Sequence, residues 1–250
     1  MLYQPSRYGE FARYSYANTQ ITLGYEYEDA DLTAPPMSYY SNEHRDQRRQ
    51  LTHNIQTRLP NYFKVEYEGF GNGSGCEIKS VVAPLFLHKQ FWNRYISKLP
   101  LYDGPNADTI TDGGIHVSVS RTPFTEQGKM KVFNFLHDLL NRPSFFKLSK
   151  RTQHNFDCYA PSHPNPSLPR VWTNHYNIIN QENSNRYEFR LFAAHPTLLL
   201  PALEMCDSLF MLAPEVNEIN FTNFRKYITK FSKYSHIKEH CIATLDRPTQ

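Results

Sequence analysis

The sequence predicts an α+β protein, and three observations carry that prediction. Short runs such as LGYEYED, YFKVEYE, CEIKSVV, GGIHVSVS and RYEFRLF alternate or concentrate apolar residues in the manner of strands. Longer runs repeat apolar residues every three or four positions, as amphipathic helices do. Within the strand-like runs, ionisable side chains recur at interior positions: Glu26 and Glu28, Glu77, His116, and Glu188 with Arg190. Strand side chains alternate faces, so Glu26 and Glu28 point the same way, as do Glu188 and Arg190. Burying carboxylates is costly unless cations lie between them, so such a face reads as a floor for metal and phosphate.

The elements follow in chain order. Residues 1–20 are polar and tyrosine-rich and read as an N-terminal arm. A strand over 20–28 leads into an insert at 29–60, a loop with Pro35 and Pro36 followed by the charged run NEHRDQRRQLTHNIQTRL. That run predicts a helix with Ser41 as N-cap and Pro60 as stop. Its acids are mixed with its bases, which favours a solvated surface helix over a nucleic-acid contact. YFKVEYE and CEIKSVV then form two strands joined by GFGNGSG, read as a hairpin turn, with phosphate contact as the alternative. No Gly-Lys-Ser/Thr follows these glycines, and a strand rather than a helix comes next, which excludes a P-loop and a dinucleotide fingerprint.

After Pro84, the spacing of Phe91, Trp92, Tyr95, Ile96 and Leu99 predicts a helix. GGIHVSVS is a strand entered through Gly113 and Gly114. Thr125 caps a helix running to about Asn141, with Val132, Phe133, Leu136, Leu139 and Leu140 as its buried stripe. Residues 151–170 read as a Pro- and His-rich loop, and HYNIINQENSNRYEFRLF as two strands around QENSN. The apolar stretch Leu191–Pro214 contains His195, Pro196, Pro201, Glu204 and Asp207, so it reads as a strand and a core helix rather than a membrane span. A last helix lies near Asn220 to Lys233.

Bulk composition narrows the class. A chain of 250 residues that is 40% hydrophobic, with 17 Tyr and 17 Phe, is long and apolar enough to bury a large aromatic core. A net charge of +3 argues against a nucleic-acid binder. Cys76, Cys158, Cys206 and Cys241 are widely spaced, so reduced thiols and a cytoplasmic setting, of the cell or of an infected host, are expected. The N-terminus lacks the apolar core of a signal peptide, and no membrane partner is expected.

Carboxylates with one imidazole form a hard ligand set suited to magnesium or manganese rather than structural zinc. An arginine two residues from an acid can grip phosphate in fork geometry. Such a floor suits phosphoryl transfer from a nucleotide. A nuclease or phosphatase fits less well without a compact Asp-x-Asp or His-x-His cluster, and a serine hydrolase lacks its Gly-x-Ser-x-Gly elbow. Each residue also has a plainer role open to it: an exposed polar strand face for Glu-x-Glu, a hydrogen-bonded core histidine, and a salt bridge for Glu188 and Arg190.

Four blocks taken in order resemble the amidoligase family, ATP-dependent carboxylate–amine ligases of the glutamine synthetase-like superfamily. LGYEYE resembles the family's opening Gly-hydrophobic-Glu-hydrophobic-Glu strand. NGSGCEIKSVVAPL resembles its Asp-x-Ser and Glu-hydrophobic-x-Ser-Pro-x-Leu block, and GGIHVSVS its Cys-Gly-Leu-His-Val-His-Val strand. HYNIINQENSNRYEFRLFAAHPT is similar to the late block with Glu-Phe-Arg-Phe. The match spans about residues 20 to 215. Ser118 stands where the family often has a second His, Gly113 where it has Cys, and Asn72 where it has Asp.

The resemblance implies a glutamine synthetase-like antiparallel sheet with a concave catalytic face and helices on the other side, in a single domain over 20–250. It implies ATP with Mg2+ or Mn2+, and carries over Glu26, Glu28, Glu77, His116 and Glu188 as metal ligands. Glu26, Glu188 and Arg190 become the catalytic set. Arg190 would stabilise phosphate, with Arg151 and Arg170 as further candidates for nucleotide or substrate contact. The implied reaction joins an acid and an amine, on a small peptide or cell-wall-type substrate, through an acyl phosphate. The departures keep open an inactive amidoligase-like binding or structural protein, for instance one associated with a virus particle. Oligomeric state is left open.

Overall fold

The structure is a computed structural model that describes residues 21–29, 42–70, 73–99, 113–140, 143–151, 178–181 and 183–245. Among the described residues, six strands form one sheet: β1 (Leu23–Asp29), β2 (Phe63–Phe70), β3 (Gly73–Ser80), β4 (Gly114–Ser120), β5 (Ile179–Asn180) and β6 (Arg186–Ala193). Their order is β2-β3-β1-β4-β6-β5, and every neighbouring pair is antiparallel. The helices are α1 (Asn42–Arg58), α2 (Leu85–Arg94), α3 (Glu126–Leu140), α4 (Pro143–Ser149), α5 (Leu199–Leu212), α6 (Phe221–Lys230) and α7 (Ser235–Leu245). The protein is thus α+β, with an antiparallel sheet.

Alternation divides the sheet into two unlike faces. Leu23, Tyr25 and Tyr27 of β1, Ile78 of β3, Ile115, Val117 and Val119 of β4, and Tyr187 and Phe189 of β6 are buried on one side. On that side Phe210 of α5 packs against the rings of Tyr187 and Phe189, and Phe133 of α3 meets the same two rings edge-on. Helix α5 has its side chains buried almost all round, only Met211 being exposed. A helix apolar on every side belongs in the middle of a fold, and α2, α3, α6 and α7 pack against it. The run Pro196–Glu215 is long and apolar enough to cross a membrane by composition, but most of it is buried inside this core.

Local signals set the element ends. The Thr125 hydroxyl accepts from the Gly128 amide at 3.1 Å and opens α3. Asn220 and Asn223 cap α6 reciprocally, at 3.0 and 2.9 Å. Pro201 falls in the first turn of α5, where no helical hydrogen bond needs its missing amide. The hairpin expectation holds: Phe70 pairs with Gly73, and the connecting Gly71 and Asn72 lie outside the described residues.

Helix α1 protects the β2 edge. The Gln56 side chain donates to the Phe63 carbonyl and accepts from the Val65 amide at 2.7 Å, mimicking a further strand. Its expected cap, Ser41, lies outside the described residues, as do the arm at 1–20, Cys158 and Arg170. Cys76, Cys206 and Cys241 are buried. Helices α4 and α7 were not expected from periodicity. The first is only seven residues long, and the second has a weak apolar stripe whose start is held from outside, by Glu204.

Candidate metal and phosphate face

The face opposite the helices gathers the ionisable groups because strand order brings distant segments together. Strand β1 lies between β3 and β4, so Glu26 sits opposite His116 on one side and Lys79 on the other, while Glu28 sits opposite Glu77. Strand β6 adds Glu188 opposite Ser118. The His116 ring is 3% exposed, and its Nδ1 lies 3.3 Å from Glu28 Oε1, 3.6 Å from Glu26 Oε2 and 3.9 Å from Glu188 Oε1. Despite that company, this nitrogen has no hydrogen-bond partner among the described residues.

That spacing resembles ligands around a cation more than a hydrogen-bonded network. Ligands about 2.1 Å from a magnesium ion lie about 3 Å apart when adjacent and about 4 Å when opposite. Ligand atoms of Glu26, His116 and Glu188 all fall within 4.8 Å of one another, and side-chain rotation can close the remainder. The donors are hard oxygens and one imidazole nitrogen, so the residues fit Mg2+ or Mn2+. Glu77 lies on the same face, but its carboxylate is paired with Lys79 at 2.7 Å.

A β-bulge shapes the far side of the site. Ile115 pairs with Phe192 and Val117 with Phe189, so two residues of β6, Arg190 and Leu191, stand against His116. Simple alternation through RYEFRLF would put Phe192 beside Glu188 and Arg190. The extra residue returns Phe192 to the apolar face and leaves Arg190 at the site. There Arg190 donates from Nε (2.9 Å) and Nη2 (2.8 Å) to Glu188 Oε1.

Arg151 arrives from the end of α4. Lys150 adopts φ 55°, a left-handed turn uncommon for a residue with a side chain. The next residue, Arg151, is buried and lies over Gly114. A Cβ at Gly114 would collide with Arg151 Nη2 and come within 3.2 Å of His116 Nε2, so any side chain here would have to displace the guanidinium. At Gly113 a Cβ would strike the Glu28 carbonyl.

The two β1 carboxylates are pushed in opposite directions. Burial alone would raise the Glu26 carboxyl, but His116, then Arg186 and Lys79, outweigh it and hold the group at about 2. Glu28 is raised: burial, with the charge of Glu26, overcomes the pull of His116, Arg190 and Arg151. Burial lowers Arg151 to about 10, against the charge of Glu28, so it remains a cation at neutral pH. Burial also works against the charge of Lys79, but Glu77, Glu26 and Glu66 raise its pKa overall.

The structure brings together Glu26, Glu28, His116, Glu188, Arg190 and Arg151 from the residues singled out in the sequence. Arg170 lies outside the described residues. Arg186 and Lys79 were missed, although both have the strand period of chosen neighbours, two residues from Glu188 and Glu77 respectively. Arg186 Nη2 lies 3.8 Å from Glu26 Oε1 and 3.6 Å from Glu188 Oε2, between the two acids. No protein-family model matches the chain, and no curated protein matches it.

Proposed function

We propose that the protein is an ATP-dependent carboxylate–amine ligase of glutamine synthetase-like architecture, an amidoligase. It would form an amide or isopeptide bond through an acyl phosphate on a peptide or peptidoglycan-like substrate. The observation that carries this reading is the convergence of Glu26, Glu28 and Glu188 on the unsatisfied Nδ1 of His116, beside an arginine fork. Glu26, Glu188 and His116 would hold Mg2+ or Mn2+, with Glu28 at its edge. The metal, when bound, supplies Lewis-acid neutralisation of phosphate charge. Arg190 and Arg151 present guanidinium groups to the oxygens of the group in transfer, and their burial keeps competing water away. The depressed Glu26 stays ionised as an oxygen ligand across the physiological range.

The test is nucleotide turnover. Purified protein with Mg2+ or Mn2+ is expected to bind ATP, and to release ADP only when both an acid and an amine acceptor are supplied. Glu26→Gln and Glu188→Gln should each abolish release, by about 100-fold or more for the loss of a metal-ligand carboxylate. Absence of nucleotide binding, together with no measurable change in either variant, refutes the reading. ADP release without an amine would point to a phosphotransferase instead.

Ser118 favours a second reading, a catalytically inactive amidoligase-like binding or structural protein. It stands directly opposite Glu188 on β4, where an imidazole would have added another ligand. Intact ion pairing in metal-free protein, with no nucleotide affinity, would support this alternative.

A further inference from the structure

The charges on this face balance internally. Glu26, Glu28 and Glu188 meet the guanidinium groups of Arg151, Arg186 and Arg190. Beyond them, Glu77 and Glu66 are matched by Lys79 and Lys64. A bare divalent ion entering among these already paired carboxylates would leave its own positive charge uncompensated beside three guanidinium groups. A bare phosphate would meet three carboxylates. Entering together, the two neutralise each other, and each finds its own set of partners.

Arg186 is the group most exposed to this conflict. Its Nη2 sits beyond hydrogen-bond distance from both acids, at 3.6 and 3.8 Å, and its buried Nε has no hydrogen-bond partner among the described residues. Arg190, by contrast, is committed to Glu188 through two donors. The Arg186 side chain is 27% exposed, so it can turn from the acids toward an incoming anion without unfolding β6. His116, buried and with its Nδ1 unsatisfied, marks the place where the cation would sit.

We propose that Arg186 is a built-in counter-ion that makes divalent-metal and phosphate binding interdependent, so that the face loads a metal–phosphate pair and holds either one weakly alone. The proposal rests on the metal-and-nucleotide reading above and deepens it. In metal-free protein Arg186 shields Glu26 and Glu188, and a phosphate group draws it away and opens the carboxylates to the ion. Linkage makes the effect reciprocal: the metal tightens phosphate by the same factor by which phosphate tightens the metal.

The experiment titrates Mn2+ into the full chain, reading the free ion by electron paramagnetic resonance, with and without inorganic phosphate. It is run on the wild type, Arg186→Gln and Arg186→Lys. For the wild type, phosphate is expected to tighten Mn2+ binding about tenfold or more, within the range of roughly 5- to 150-fold typical of coupled sites. In Arg186→Gln, Mn2+ alone should bind several-fold more tightly than to the wild type, and the phosphate effect should largely vanish. Arg186→Lys keeps the charge and should keep the coupling. A merely structural arginine predicts the opposite, weaker Mn2+ binding in Arg186→Gln. Wild-type Mn2+ binding that ignores phosphate, or an Arg186→Gln variant that binds Mn2+ no more tightly, overturns the proposal while leaving a metal site in place. Failure of all three proteins to bind Mn2+ refutes the ligase reading, and this proposal falls with it.

Discussion

Replacing Glu204 by Leu should loosen the helical layer behind the sheet, and the structure sets the size of the effect. Glu204 lies on the central helix α5 with its side chain 0% exposed. Its carboxylate accepts from the Ile237 amide at 2.8 Å and pairs with His236 Nδ1 at 2.7 Å and with Lys89 Nζ. One side chain thereby caps the N-terminus of α7 and ties α2 to α5. Leucine would leave the Lys89 ammonium without its buried partner and the Ile237 amide without an acceptor. Breaking one side of a buried pair costs about 3–5 kcal/mol. At about 2 °C per kcal/mol for a chain of this size, Tm should fall by about 6–10 °C. Hydrogen exchange at the first turn of α7 should accelerate more than exchange in β4. The double variant Lys89→Met with Glu204→Leu should recover much of the loss, because removing both charges leaves less to desolvate. A Tm within about 2 °C of wild type for Glu204→Leu, below about 1 kcal/mol by the same conversion, would refute this account of the helical layer.

Two further outcomes follow from named contacts. Gly114→Ala should displace Arg151 from its place beside His116, lowering stability by about 1–3 kcal/mol in chemical denaturation and weakening anion binding; unchanged anion affinity would show that Arg151 does not act there. His88 donates from Nε2 to the Leu23 carbonyl at 2.8 Å, and burial lowers its pKa from 6.5 to about 4. The unfolded chain therefore binds this proton first, and stability is lost as pH falls through 6.5 toward 4. The depression amounts to about 3 kcal/mol at full protonation, at about 1.4 kcal/mol per tenfold change. His88→Gln should flatten that part of the stability–pH curve, and an unaltered slope in urea melts between pH 4 and 7 would disprove the assignment.

Much of the architecture is legible in local pattern. The alternation in LGYEYED assigns Tyr25 and Tyr27 to the core and Glu26 and Glu28 to the opposite face, and both assignments hold. The stretch Leu191–Pro214 reads as a strand and a core helix because Glu204 and Asp207 make it too polar for a membrane span; in the structure the helix is buried and both acids have buried partners, Ile237 and Tyr234 among them. The hairpin of β2 and β3 is readable because turn chemistry is local. Arg186 was passed over because one more arginine on a strand is ordinarily a solvent-facing residue.

By itself the sequence determined which side chains share a strand face, where the more strongly patterned helices lie, and that acids and an imidazole would concentrate on the polar side of a sheet. Those properties depend on the fixed periods of backbone geometry. Only the tertiary structure decided that β1 lies between β3 and β4, which sets Glu26 beside His116, 90 positions later in the chain. It also decided that a bulge keeps Arg190 at the site while Phe192 turns to the core, and that a left-handed turn at Lys150 delivers Arg151 over Gly114. Strand order and register are settled by packing the whole apolar face at once, and no local window of residues contains that information.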